Sequence, residues 1–63
     1  MNGLNAIRCK RKLTQAALAA RAGFSREYVA RLETGRHDPP LSTVLRLAKA
    51  LDVPVAKLIG GRN

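Results

Sequence analysis

Arg26 and Glu27 stand side by side in the segment Ser25-Arg26-Glu27-Tyr28, and Arg31 follows on a neighbouring helical face. A guanidinium can donate two parallel hydrogen bonds to guanine O6 and N7, and a carboxylate can accept one from cytosine N4. Gln15 comes just after Thr14. An amide beside the unpaired N–H groups of a helix start can hold a phosphate oxygen. Tyr28 adds a hydroxyl that could also bond a phosphate. This is the chemistry of gripping and reading a nucleic acid, not of breaking bonds. The sequence offers no Ser/His/Asp set, carboxylate pair, metal-spaced cluster or phosphate-cradling glycine loop. Catalysis, a cofactor, a bound metal and a small-molecule ligand are therefore not expected. Plainer roles stand beside these. Glu27 in a first turn also favours the helix dipole. Tyr28 could be a packing residue, and Gln15 a solvated polar one.

Such side chains must be held by helices. Thr14 and Ser25 are suited to cap two of them, each offering a side-chain oxygen to unpaired backbone N–H groups. Gly23 lies between, where one helix stops and the chain turns. Two helices joined by a short glycine-containing turn form a helix-turn-helix, whose second helix can enter the major groove of DNA. Around this pair the spacing predicts further elements. A first helix begins with Leu4 and Ile7 and ends near Lys12. The second buries Leu18, Ala19 and Ala22, and the third Val29 and Leu32. Phe24 just before the Ser25 cap should staple against Val29. Gly35 fits a left-handed stop. The run Arg36-His37-Asp38-Pro39-Pro40 is a loop, because two prolines cannot continue a helix. A fourth helix opens near Ser42, its apolar stripe made of Leu41, Val44, Leu45, Ala48 and Leu51. A short fifth starts at Pro54 and carries Val55, Leu58 and Ile59. Residues 60–63 read as a frayed tail.

Composition narrows the partner. The chain has 63 residues, enough for one domain spanning 1–63. Phe24 and Tyr28 are its two aromatics, so Leu, Ile, Val and Ala must build the core. Twelve Lys and Arg against four Asp and Glu give a net charge of +8, the electrostatic footprint of a phosphate-backbone binder. The single cysteine, Cys9, excludes an internal disulfide framework. It reads as a small, half-buried helix residue, and His37 as a solvated loop residue. No apolar run approaches the roughly 18 residues of a membrane span. The N-terminal residues lack the apolar stretch of an export signal. A cytoplasmic location is the default expectation.

The ordered pattern Leu13-Thr14-Gln15, Leu18-Ala19, Ala22-Gly23, Ser25-Arg26, Tyr28, Leu32-Glu33, Gly35-Arg36, Pro40-Leu41 and Leu47 to Leu51 resembles the phage repressor and Cro type of helix-turn-helix, the XRE-like family. The likeness runs from about Leu4 to Ile59. It implies an all-α, compact five-helix domain, lambda-repressor-like, with helices 2 and 3 as the DNA-reading unit. It implies a sequence-specific transcriptional regulator of double-stranded DNA, commonly a homodimer.

The likeness also assigns residues. Gln15 becomes a phosphate contact. Ser25, Arg26 and Glu27 open the recognition helix, and Arg31 joins the base or phosphate contacts. Thr34 and Arg36, bracketing Gly35, meet the backbone of the same half-site. Arg8 in helix 1 and Glu33 late in helix 3 match positions that often pair; otherwise they are solvated charges. Lys12 departs from the pattern, since glycine usually ends helix 1 there. A lysine in a left-handed conformation costs roughly 1 kcal/mol. Ala17 also departs, standing where glutamate is common.

Two functional classes remain in view. The first is a repressor binding an inverted-repeat operator through the major groove, as a homodimer through Val55, Leu58 and Ile59 of the C-terminal helix. A restriction–modification controller is a variant of it. The second is an antitoxin-type interaction module that neutralises a partner protein and binds DNA secondarily. Antitoxins usually carry a partner-wrapping segment, and none is visible here. A cationic membrane-active peptide fits poorly, because the charges interleave with capped helices rather than forming one basic stripe.

Overall fold

The computed structural model describes residues 3–35 and 38–59, the side chain of Ile59 excepted. Arg36, His37 and the 60–63 tail lie outside the described residues. Five helices follow one another: α1 Leu4–Lys10, α2 Gln15–Ala22, α3 Arg26–Glu33, α4 Leu41–Leu51 and α5 Val55–Ile59. The all-α architecture is the expected one.

Local chemistry sets most of the boundaries. Thr14 accepts a hydrogen bond from the Ala17 N–H at 3.0 Å, and Ser25 one from the Tyr28 N–H at 3.1 Å. Each satisfies one of the donors a helix start leaves unpaired. Pro40 precedes α4 with extended backbone and offers no side-chain cap. At the other ends, Lys12, Gly23 and Asp52 all adopt left-handed backbone, with φ of 60°, 80° and 58°. Each is followed by a residue whose N–H reaches back to a helix carbonyl: Leu13 to Arg8, Phe24 to Ala19 and Val53 to Ala48. That six-to-one bond marks a Schellman stop. Glycine suits the geometry at Gly23, and Asp tolerates it at Asp52. Lys12 adopts it against its preference, so α1 keeps the left-handed stop rather than ending in another way.

The core consists of Leu4, Leu18, Ala19, Ala22, Val29, Leu32, Val44, Leu47, Ala48, Leu51 and Leu58. It draws on every helix. Ala19 and Ala22 keep α2 thin where α3 and α4 approach it. Gly3 joins the chain's beginning to its end. Its N–H donates to the Leu58 carbonyl at 3.3 Å, and a Cβ on it would lie 2.5 Å from the Lys57 carbonyl oxygen. Only a residue without a side chain allows that approach.

Three expectations are corrected. Leu41 and Leu45 are not core residues; they are 64% and 49% exposed. The buried stripe of α4 is Thr43, Val44, Leu47, Ala48 and Leu51, rotated so that Thr43 turns inward in their place. Cys9 is exposed, because α1 buries Leu4 and turns Cys9 toward solvent. Leu58 is wholly buried in its own chain's core, so it is unavailable to a second copy. Val55 is half-buried, and the Ile59 side chain is not described.

Candidate nucleic-acid interface

Side chains join the first residue of α2 to both ends of α3. Gln15, the first residue of α2, donates from Nε2 to Glu33 Oε1 at 3.0 Å. Its Oε1 accepts from Nη1 of Arg26, the first residue of α3, at 3.3 Å. Arg26 Nη2 lies 3.9 Å from Glu27 Oε2, in an exposed pair. Unpaired N–H groups at both helix starts add positive potential to the same corner. An anion approaching it meets helix ends, an amide and a guanidinium together.

Glu33 anchors the arrangement. Arg8 donates to it twice, from Nε to Oε2 at 2.5 Å and from Nη2 to Oε1 at 3.2 Å. Asn5 adds a third donor group at 3.0 Å. Arg8 also donates from Nη1 to the Leu13 carbonyl at 2.7 Å, which ties α1 to the start of the helix pair. The two side chains are only 13% and 7% exposed, so the pair is structural rather than solvated. Burial pushes the Glu33 carboxyl upward, but hydrogen bonds from Arg8, Asn5 and Gln15, with the charge of Arg8, outweigh it. The carboxyl is held below its usual range. The hydrogen bond to Glu33 raises the Arg8 guanidinium further, against the opposing effect of burial.

The remaining residues take distinct positions. Ser25 is exposed, with its oxygen engaged as the α3 cap. Arg31 is exposed on α3, and its carbonyl accepts from the Thr34 hydroxyl at 2.7 Å. Tyr28 is half-buried, its ring edge-on to Phe24 at 5.1 Å and its hydroxyl 3.5 Å from Thr43 Oγ1. The structure thus brings Gln15, Arg26 and Glu27 together. It places Arg31 and Thr34 at the far end of α3 and turns Tyr28 partly inward. Arg36 is not described.

Sequence reasoning missed two contributors. Asn5 lies three residues before Arg8, hence on the same face of α1, and that spacing could have indicated it. Arg46 lies with its guanidinium carbon 4.5 Å over the Phe24 ring, covering the turn at Gly23. Nothing local to α4 signals this contact. An open depression of about 510 Å³ beside it, lined by Arg21, Gly23, Arg46 and Lys49 among others, contains none of the candidate site residues. Among the described residues, no group of three or more His, Cys, Asp or Glu could hold a metal, and no helix is long and apolar enough to cross a membrane.

Comparison with known proteins places this geometry. The helix-turn-helix family model matches residues 4–58. The chain is 46% identical over 57 residues to the immunity repressor protein of Bacillus phage phi105, covering 90% of this chain and 40% of that protein. It is 42% identical over 59 residues to an uncharacterized HTH-type transcriptional regulator of Sinorhizobium fredii, covering 90% and 77%. The chain therefore spans less than half of the phage protein and most of the rhizobial one. Among solved structures, the restriction-modification controller protein C.AhdI of Aeromonas hydrophila superimposes with a TM-score of 0.84 at 36% identity, over 89% of this chain and 81% of that one. A hypothetical transcription factor, NHTF, from Neisseria gives 0.85 at 29% identity, over 92% and 67%.

Proposed function

The chain belongs to the XRE-type helix-turn-helix family of transcriptional regulators, and we propose that it is a sequence-specific repressor that reads double-stranded DNA by placing α3 in the major groove. The observation that carries the proposal is the junction of Gln15 and Arg26 at two adjoining helix N-termini. One helix start grips the backbone there while the other presents a guanidinium to the bases. The net charge of +8 supplies the sequence-independent attraction. The resemblance to a protein named as an immunity repressor supports repression.

In this reading Arg26 donates to guanine O6 and N7, and Arg31 addresses the groove from the next turn. Glu27, 79% exposed beside Arg26, accepts from a cytosine. Gln15, Ser25, Thr34 and Arg36 contact phosphates, which fix register without carrying base information. The half-buried ring of Tyr28 and its nearness to Thr43 favour a packing role over a phosphate contact. Two copies joined along α5, with Val55 at the contact, read half-sites about 34 Å apart as an inverted repeat.

Selection of bound sites from a random duplex pool, followed by footprinting, tests this. Enrichment of an inverted repeat with that spacing is expected. A pool that stays random, or capture of a protein partner without any selected DNA, would reject the reading in favour of an interaction module.

A further inference from the structure

We propose that Glu33 determines sequence specificity without touching DNA, by fixing which way the Gln15 amide faces and thereby aiming Arg26. The inference rests on the DNA-reading role of Arg26 and deepens it. An ionised carboxylate only accepts, and a guanidinium only donates. Gln15 sits between one of each: Nε2 is 3.0 Å from Glu33 Oε1, and Oε1 is 3.3 Å from Arg26 Nη1. Turning the amide over would set two acceptors against each other at one end and two donors at the other. The two neighbours therefore select the same orientation.

Glu33 is in turn held by several donors. It is 7% exposed, and Arg8 and Asn5 hold it from the α1 side. The oxygen placed by this held carboxylate thus faces Arg26, the first residue of α3. Arg26 is itself 55% exposed and, among the described residues, lies 3.9 Å from Glu27 in an exposed pair. Without the Gln15 oxygen, a long flexible side chain would sample many rotamers before meeting a base. The Gln15 nitrogen keeps a second N–H for a phosphate, so backbone grip and base reading share one amide. Replacing Glu33 by glutamine supplies both donor and acceptor, so the carboxylate's share of that selection is lost and the exposed guanidinium of Arg26 alone is left to orient the amide it should be aimed by.

The test uses the site selected by the native chain and a panel of duplexes carrying each single base-pair change. Glu33→Gln should cut discrimination roughly tenfold at the one base pair that Arg26→Ala also relaxes, a loss within the range of a bidentate contact. Preferences at other positions should persist, which a merely structural role would not produce. Gln15→Ala leaves the Arg8–Glu33 pair in place and should relax the same base pair. Because Glu33→Gln weakens a buried pair, the double variant Arg8→Met/Glu33→Met removes the carboxylate without stranding a charge. It should show the same altered profile. A folded Arg8→Met/Glu33→Met protein with the native base preferences would overturn the inference, as would an even loss at all positions. If the native chain selects no site at all, it is the DNA-reading proposal that fails.

Discussion

Arg8 and Glu33 form a two-point contact between α1 and α3, with Nε 2.5 Å from Oε2 and Nη2 3.2 Å from Oε1. Breaking one side leaves a largely covered, part-buried charge without its ion-pair partner. Arg8→Ala should therefore cost about 3 kcal/mol, at the lower end of the range for such losses. Arg8→Met/Glu33→Met should cost much less, since no charge is stranded. Urea unfolding at neutral pH measures both.

The same pair gives a pH dependence of defined sign. The folded carboxyl of Glu33 lies below its usual range, so the folded state binds its proton less readily than the unfolded chain. The pair's contribution is complete above the ordinary glutamate pKa of about 4.3. It is lost as pH falls through the folded value. Unfolding midpoints should drop as pH is lowered below the ordinary glutamate pKa of about 4.3, and drop less in Arg8→Met/Glu33→Met. An equal slope in the two proteins would remove Glu33 from the explanation.

Gly23 combines φ of 80° with the guanidinium of Arg46 lying where a side chain would start. Gly23→Ala should cost about 1–2 kcal/mol from the left-handed backbone. It should also displace Arg46 from the Phe24 ring. Arg46→Ala alone should cost about 0.5–1 kcal/mol for the lost cation–π contact. In the Gly23→Ala background it should cost less, because the contact is already disturbed. A double-mutant cycle by thermal unfolding shows whether the two are coupled.

Helix existence and limits were legible because they are local. Thr14, Ser25, Gly23, Gly35, Pro39 and Pro40 each act within a few residues of their own position. The helix-turn-helix at α2 and α3 follows from them, and its assignment to a family from the wider pattern. What was not legible depends on how helices rotate against one another. Periodicity placed Leu41 and Leu45 in the stripe of α4, yet an apolar arc wider than the contact surface leaves its edge outside. Tertiary packing chose Thr43 and Leu47. Arg8 and Glu33 could be paired only through the resemblance, and the links from Glu33 to Asn5 and Gln15 depend on rotamers that no spacing specifies. Arg46 over Phe24 joins residues far apart in the chain for the same reason.

Leu58 and Val55 should separate folding from association. Leu58 is fully buried, so Leu58→Ala should lower stability by about 2–5 kcal/mol. Val55 is half-buried on the same short helix, and Val55→Asp should shift a dimer toward monomer with less effect on the unfolding midpoint. Sedimentation equilibrium beside thermal unfolding distinguishes them. A Val55→Asp protein that sediments like the native chain would place any dimer contact elsewhere.

Arg36 is proposed to hold a phosphate. Arg36→Ala should weaken binding to all duplexes about equally and lower the slope of log affinity against log salt by about 1. A changed base preference with unchanged nonspecific affinity would contradict that role.

The central claim is that α3 reads bases through Arg26 at the corner where Gln15 meets it. Affinities of the native chain and of Arg26→Ala for the selected duplex and its single base-pair variants, at one fixed salt concentration, test it most directly. Arg26→Ala should lose about 1–3 kcal/mol of discrimination at one G·C pair in each half-site and keep the rest of the profile. An Arg26→Ala protein with the native profile and uniformly lower affinity would show that Arg26 only attracts phosphate, and the claim would be wrong.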